Sequence, residues 1–320
     1  MPFKRRALLA AALSLIATLP VQAQLNPSRN ITLVVPIAAG GGVDAVGRLV
    51  AEKLQERLKI NVVVENRTGA GGTVGTDSVA KAAPDGHTLL LMESSATISK
   101  WLNKGVPLDV RTDFAPVARV ATSPLMLFAH PSVAAKDAKD IIALAKKSPL
   151  QAAIPGIGTP HHLANVLFNS AAKVDLTVVP YRGTGPGLTD LLAGRVPLMW
   201  ATPVALIPHV ESGKVNALAV ASLKRASSLP QAATIAETAL PGFEVEIWFG
   251  VAAPAKTPPV IVAQLAKEIE AIMALPDVKE RTAKLGLDVS FAGSEPFRRL
   301  IVEDHARFGK AVQAANIEVK

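Results

Sequence analysis

The sequence predicts an α/β protein of two lobes, each a mixed, mostly parallel sheet flanked by helices, with two chain crossings around a cleft. Three observations predict it. Short apolar runs alternate with amphipathic stretches at helical spacing, the pattern of βαβ units. That grammar occurs twice, once in the first hundred residues and again from Pro124 to Ala221. At 320 residues a single core is near its practical limit, which favours two units. The expected division is residues 24–122 with 247–320 as the first lobe and 123–246 as the second.

The N-terminal segment stands outside this pattern. Lys4-Arg5-Arg6 is basic, Ala7–Leu19 is apolar, and Val21-Gln22-Ala23 is a small-x-small cleavage site. Together they form a secretory signal peptide, too short to span a bilayer, which needs roughly 20 apolar residues. The mature chain is expected to begin at Gln24 in a bacterial periplasm. No cysteine occurs, which excludes disulfides, thiolate metal sites and thiol nucleophiles. Of 34 basic and 26 acidic side chains, loss of Lys4, Arg5 and Arg6 leaves 31 against 26, a surplus of +5. No basic run is interleaved with aromatics, so nucleic acid is not an expected partner. A mild positive field suits small anions.

Ile31–Val35 reads as a buried parallel strand. Val46, Leu49, Val50, Leu54 and Leu58 then recur on one helix face. Between them lie Gly40-Gly41-Gly42, where backbone can turn with positive φ and approach a guest, with Asp44 placed to cap the helix. The helix start offers free N–H groups to an anion. Asn61–Glu65 is a second strand running into the turn Gly69-Ala70-Gly71-Gly72, Thr73–Ala82 a helix, and Thr88–Met92 a third strand ending in Glu93-Ser94-Ser95. In such sheets ligands sit beyond the carboxyl ends of the strands, where these turns lie.

The second unit begins with the strand Pro124–His130 and a helix over Ser132–Lys147. Gln151–Ile154 is a strand, followed by Pro155-Gly156-Ile157-Gly158 and a helix with Thr159 as N-cap and Pro160 at its first position. Thr177–Pro180 leads into the turn Tyr181–Gly185, and Pro186 starts a helix. Val196–Trp200 and Val215–Ala221 are further strands. Val117–Pro124 and Phe243–Pro254 look like the links between units. The tail reads as purely helical: Thr257 caps, Pro258 starts, and helices cover Pro276–Leu285 and Ser294–Ala314. Such a tail needs a sheet to cover, and the first lobe is short of helices.

Chemistry is hard to find. Gly40-x-Gly42 and Gly69-x-Gly71 lack the third glycine of a dinucleotide fingerprint, and no phosphate loop, nucleophile elbow or HExxH occurs. His161 and His162 are adjacent, so on a helix they point about 100° apart and cannot share a metal. Ser94 and Ser95 have no histidine tied to them by any motif. Tyr181 and Trp200 end strands, where ligand contact and plain packing both suit them. What remains is a set of backbone-rich turns with hydroxyls, which favours binding without catalysis, with no cofactor and no metal.

The motifs Val35–Asp44, Glu65–Gly72, Pro84–Leu90, Asp113–Val117, Gly158–Leu163, Val179–Gly183, Leu188–Gly194 and Trp248–Pro258 occur in an order that closely resembles the tripartite tricarboxylate transporter substrate-binding proteins, the Bug or TctC-like family. The resemblance covers nearly the whole mature chain. It implies a Venus flytrap fold of the periplasmic-binding-protein type (type II-like), a small organic acid gripped by its carboxylate between the lobes, and delivery to a membrane transporter with two integral subunits. A monomer is expected. The residues expected at the ligand are Ile37, Ala38, Ala39, Gly40, Gly41, Asp44, Gly72, Ser94, Ser95, Gly158, Thr159, His161, Tyr181, Thr184 and Trp200. The chain departs from the family at Ile154-Pro155, at Pro197 and at Trp200-Ala201-Thr202, which implies a more apolar wall from the second lobe. The competing readings are a receptor that presents its ligand to a sensor kinase and an exported hydrolase.

Overall fold

A computed structural model describes residues 25–102 and 105–314. The expected signal peptide and cleavage site lie outside these residues. The first lobe opens with β1 (Ile31–Val35), α1 (Gly42–Leu58), β2 (Val62–Asn66), a single 3-10 turn at Ala70–Gly72, α2 (Thr73–Ala80), β3 (Thr88–Glu93), α3 (Ser95–Leu102) and β4 (Phe114–Pro124). The second lobe holds β5 (Met126–Ala129), α4 (Ala138–Ala145), β6 (Leu150–Ile154), α5 (Pro160–Ala172), β7 (Leu176–Pro180), α6 (Thr184–Leu192), β8 (Leu198–Ala201), α7 (Ile207–Glu211), β9 (Asn216–Val220) and α8 (Ile235–Thr238). The chain then returns through β10 (Glu246–Pro254), α9 (Pro259–Ala274), α10 (Pro276–Lys284), β11 (Asp288–Gly293) and α11 (Ser294–Ala314).

Two mixed sheets result, ordered β11-β4-β10-β3-β1-β2 and β7-β6-β8-β5-β9. The βαβ units supply the parallel ladders, with Ile31 opposite Val62 and Thr32 opposite Thr88. The returning strand β10 is antiparallel to both β3 and β4. The first sheet is buried on both faces, which is why β1 and β3 are nearly all apolar. Leu33, Leu89 and Leu91 pack with Val46, Leu49, Leu265 and Ile269 of α1 and α9. Val34, Leu90 and Met92 pack with Val79 of α2 and Phe297 and Ile301 of α11. Each fully buried leucine contributes about 1.5–3 kcal/mol. The C-terminal helices therefore cover the first sheet, as their apolar stripes demand.

The two crossings lie side by side. β4 ends at Pro124 opposite Glu246 of β10, and β5 starts at Met126. Ala221 N–H donates to Leu125 O at 2.7 Å, and Val245 N–H donates to Ala221 O at 2.9 Å. Hydrogen bonding thus runs from one lobe into the other through fully buried Leu125, Ala221 and Val245.

Several expectations are corrected. Val117–Pro124 and Phe243–Pro254 are links only at their ends; both are core strands of the first sheet. The helix expected from Ser132 starts at Ala138, because the Asp137 carboxylate caps Asp140 N–H, while His130–Val133 closes a turn. Thr257 does not cap the tail helix. Pro259 forces Pro258 into extended backbone, at φ −54° and ψ 135°, so Pro258 is the N-cap and Thr257 Oγ1 is buried without a partner. The tail is also not purely helical: β11 pairs with β4 across a bulge, half-buried and short, with too little alternation to announce itself.

Trp248 lies in the first lobe's core, edge-on to Phe297, and its Nε1–H donates to the Asp304 carboxylate at 2.6 Å. Asp304→Ala leaves that N–H buried and unpaired, at a cost of about 1–3 kcal/mol. The expected result is a lower urea midpoint with a Trp248 emission already altered in the folded state.

Candidate functional site

The lobes face each other across a cavity of about 300 Å³. The first lobe contributes the β1–α1 turn at Pro36–Ala38, the turn Thr68–Thr73 and Ser99 of α3. The second contributes Pro155–Thr159 after β6 and Pro180–Gly183 after β7. These are ends of parallel strands, where a doubly wound sheet leaves its crevice. Pro36-Ile37 and Pro155-Gly156 break the ladders there, so the chain leaves each sheet and turns into a helix.

The walls are mainly backbone. Gly71, at φ 64°, lies so close to the Ile157 carbonyl that any Cβ would run into it. Helix α2 starts at Thr73, and its N-cap Gly72, in left-handed backbone, offers no side-chain cap. The N–H groups of Gly72 and Val74 donate to Gly69 O and that of Thr73 to Ala70 O, so the turn itself closes the helix start beside the cavity. The Thr73 hydroxyl, also in the lining, is buried without a partner. Arg182 is the single charged side chain in the lining, is exposed, and forms no ion pair among the described residues.

Of the expected ligand residues, the cavity brings together Ile37, Ala38, Gly72, Gly158, Thr159 and Tyr181. Two of these are engaged elsewhere through their polar atoms. The Thr159 hydroxyl gives its proton to Gly156 O at 2.7 Å and accepts from His162 N–H, so it holds the turn and caps α5. The hydroxyl was expected to reach a carboxylate, but its one proton is committed. The Tyr181 phenol donates to Asp190 at 2.7 Å, and burial together with that carboxylate pushes its pKa to about 12. The residue lines the cavity, but its phenol is tied to Asp190 and its ring packs beside Gly187.

A smaller chamber of about 20 Å³ lies deeper between the lobes, beside Gly41, His161 and Thr184. Gly41 is the N-cap of α1 at φ −100°, so it does not need the positive φ expected of it; Gly40 does, at φ 92°. What glycine at 41 provides is room, since a Cβ would stand 3.3 Å from Thr184 Oγ1 in the other lobe.

The remaining expected residues are elsewhere. Ala39 and Gly40 are exposed and outside both linings. Asp44 is not the cap but the third residue of α1, and both its oxygens are taken, by Gly40 N–H, Arg48 and Asn66. Burial opposes its charge, but those hydrogen bonds win and hold its pKa below the ordinary value. Ser94 is fully buried. Ser95 borders a crevice of about 10 Å³ behind Gly71–Thr73. Trp200 is fully buried in the second lobe's core, donating to Asn165 Oδ1 at 3.0 Å and meeting Phe168 edge-on, because its strand turns that face toward α5. Ser99, Thr202 and Arg182 were missed. Ser99 sits mid-helix with no local signal; Arg182 follows Tyr181 in a turn already noted.

Burial also shifts three titratable groups. Burial pushes the Glu93 carboxyl up to about 7, the Ser95 hydroxyl opposing. Burial pushes His161 down to about 3 and His162 down to about 4. Among the described residues no three His, Asp or Glu side chains gather as metal ligands.

Two lobes, paired crossings and an interlobe cavity walled by backbone define a periplasmic solute-binding protein. The chain belongs to the tripartite tricarboxylate transporter family receptors (TctC), whose family model matches residues 46–317. It is similar to the periplasmic binding protein BugD, at 36% identity and TM-score 0.87, covering 92% of this chain and 99% of that one. It resembles an R. palustris protein solved with adipate, at 32% identity and TM-score 0.88, covering 91% and 98%. It also resembles MatC from Rhodopseudomonas palustris with bound malate, at 34% identity and TM-score 0.84, covering 90% and 100%.

Thr159→Val removes both the cap and the Gly156 tether, so a fall in stability of about 1–2 kcal/mol is expected in thermal melts of ligand-free protein. Glu93 sets a pH dependence. Its folded pKa lies above its unfolded value of 4.5, so the folded state holds the proton longer. Stability therefore falls as pH rises from about 4.5 to about 7 and is level above. The full loss is roughly 3 kcal/mol. Glu93→Gln should flatten that profile in denaturation series at pH 5 and pH 8; an unchanged slope would refute the assignment.

Proposed function

We propose that the protein captures a small organic carboxylate in the interlobe cavity, does not convert it, and delivers it to a transporter of the tripartite tricarboxylate type. The observation that carries this reading is the cavity wall: backbone turns at the ends of parallel strands, the unpaired Thr73 hydroxyl, and Arg182 as the one charge among the lining residues. Each favourable charge–dipole contact is worth about 0.3–1 kcal/mol, and hydrogen bonds to a charged group about 1.5–3 kcal/mol. Arg182 can pair with a second carboxylate in bidentate fashion. Bound adipate and malate in the two R. palustris relatives support a dicarboxylate. The lobes, taken as residues 24–122 with 247–320 and residues 123–246, close on the acid, and the closed form presents it to the membrane subunits.

The test is a calorimetric screen of C4–C6 dicarboxylates against their diamides, on wild type and Gly71→Val. Acids are expected to bind with Kd near 1 μM or tighter, about −8 kcal/mol, with amides at least tenfold weaker. Gly71→Val should lose binding; because its φ of 64° also strains a β-branched residue, melting curves of the ligand-free variant check that it remains folded. Amides binding as well as acids would remove the carboxylate from the reading.

A further inference from the structure

The chamber beside His161 is unlike the main cavity. It shares Ile37, Ala38 and Pro155 with the cavity, so the two adjoin along one wall. The first lobe brings the start of α1 to it, the second Thr184 at the start of α6, and neither helix has a side-chain cap. Thr202 adds a hydroxyl, 3.0 Å from where a Cβ on Gly42 would stand. The ring of His161 completes the wall. That residue is only 5% exposed, yet neither ring nitrogen has a hydrogen-bond partner. Buried polar groups are normally paired. A buried imidazole with both ring nitrogens unpaired, beside two helix starts without side-chain caps, leaves donors and an acceptor available at one place.

We propose that this chamber is a subsite for one neutral polar substituent of the bound acid, a hydroxyl next to the carboxylate, and that His161 selects for it. The inference rests on the carboxylate reading of the cleft. Size points this way: a single water needs roughly 10–15 Å³ of such space, and the chamber has about 20 Å³. One oxygen fits; a three-atom carboxylate does not. Charge agrees. Burial holds the imidazole neutral down to about pH 3, and no charged side chain lines the chamber. A neutral imidazole offers one N–H and one lone pair. A hydroxyl offers one O–H and two lone pairs, so it can give its proton to the ring and accept from the helix N–H groups. An apolar substituent would leave all these groups unpaired.

The experiment compares matched acids by calorimetry: succinate with malate, glutarate with 2-hydroxyglutarate, and adipate with 2-hydroxyadipate. Wild type should bind at least one hydroxy acid roughly three- to tenfold tighter than its deoxy partner. His161→Leu should abolish that ratio and leave the deoxy acid unaffected. His161→Gln, which keeps a donor and an acceptor, should retain part of it, and melting curves should show both variants folded. The ratio should stay constant from pH 5 to pH 8, because the ring does not titrate there. A ratio of one in wild type, a ratio that survives His161→Leu, or one that grows as pH falls overturns the inference while leaving carboxylate capture intact. Failure of every acid to bind wild type overturns the proposed function and this inference with it.

Discussion

The lobes meet backbone to backbone, and the character of the site follows from that. The Ile157 carbonyl occupies the space where a side chain on residue 71 would begin, and Gly41 gives the same freedom opposite Thr184. Where two walls approach this closely, few long side chains fit between them. The cavity is therefore lined by main-chain dipoles, hydroxyls and one arginine. Helices α1, α2 and α6 have no side-chain caps. The starts of α1 and α6 leave N–H groups open to a polar oxygen, whereas the start of α2 is closed by the Gly69 and Ala70 carbonyls.

The closure proposed above would have to be accommodated where the chain passes between the sheets, at the paired crossings. Leu125, Ala221 and Val245 are hydrogen-bonded across the junction and fully buried, so they tie three chain segments together rather than leaving a floppy tether. Small φ/ψ changes in a few residues at the ends of strands can then carry a whole lobe. Glu93 lies close to this region, opposite Phe249 of β10, while Phe249 itself borders the small chamber. The Glu93 carboxyl is buried inside the first lobe.

Separate uses of polar groups explain why single residues mislead. Thr159 and Tyr181 both stand in the lining, yet their hydroxyls build the turn and tie down Asp190. Asp44 is spent on Gly40, Arg48 and Asn66. By contrast His161 makes no internal hydrogen bond at all, although nothing in its neighbourhood of sequence marks it off from His162.

The sequence by itself determined the α/β class, the double βαβ grammar and the turns that form the cleft, because each is local: apolar period, glycine, proline and N-cap residues act within a few positions. It also placed α9 and α11 as covers in need of a sheet, since their apolar stripes demand one. Only the tertiary structure decided which polar atoms are free. Trp200 went to the core because β8 turns that face toward α5, and Trp248 went to Asp304, 56 residues away. Ser99 joined the site through the packing of α3, and β11 formed because β4 offered an unpaired edge. Hydrogen-bond commitment and strand pairing are contacts between distant positions, and a local pattern does not record them.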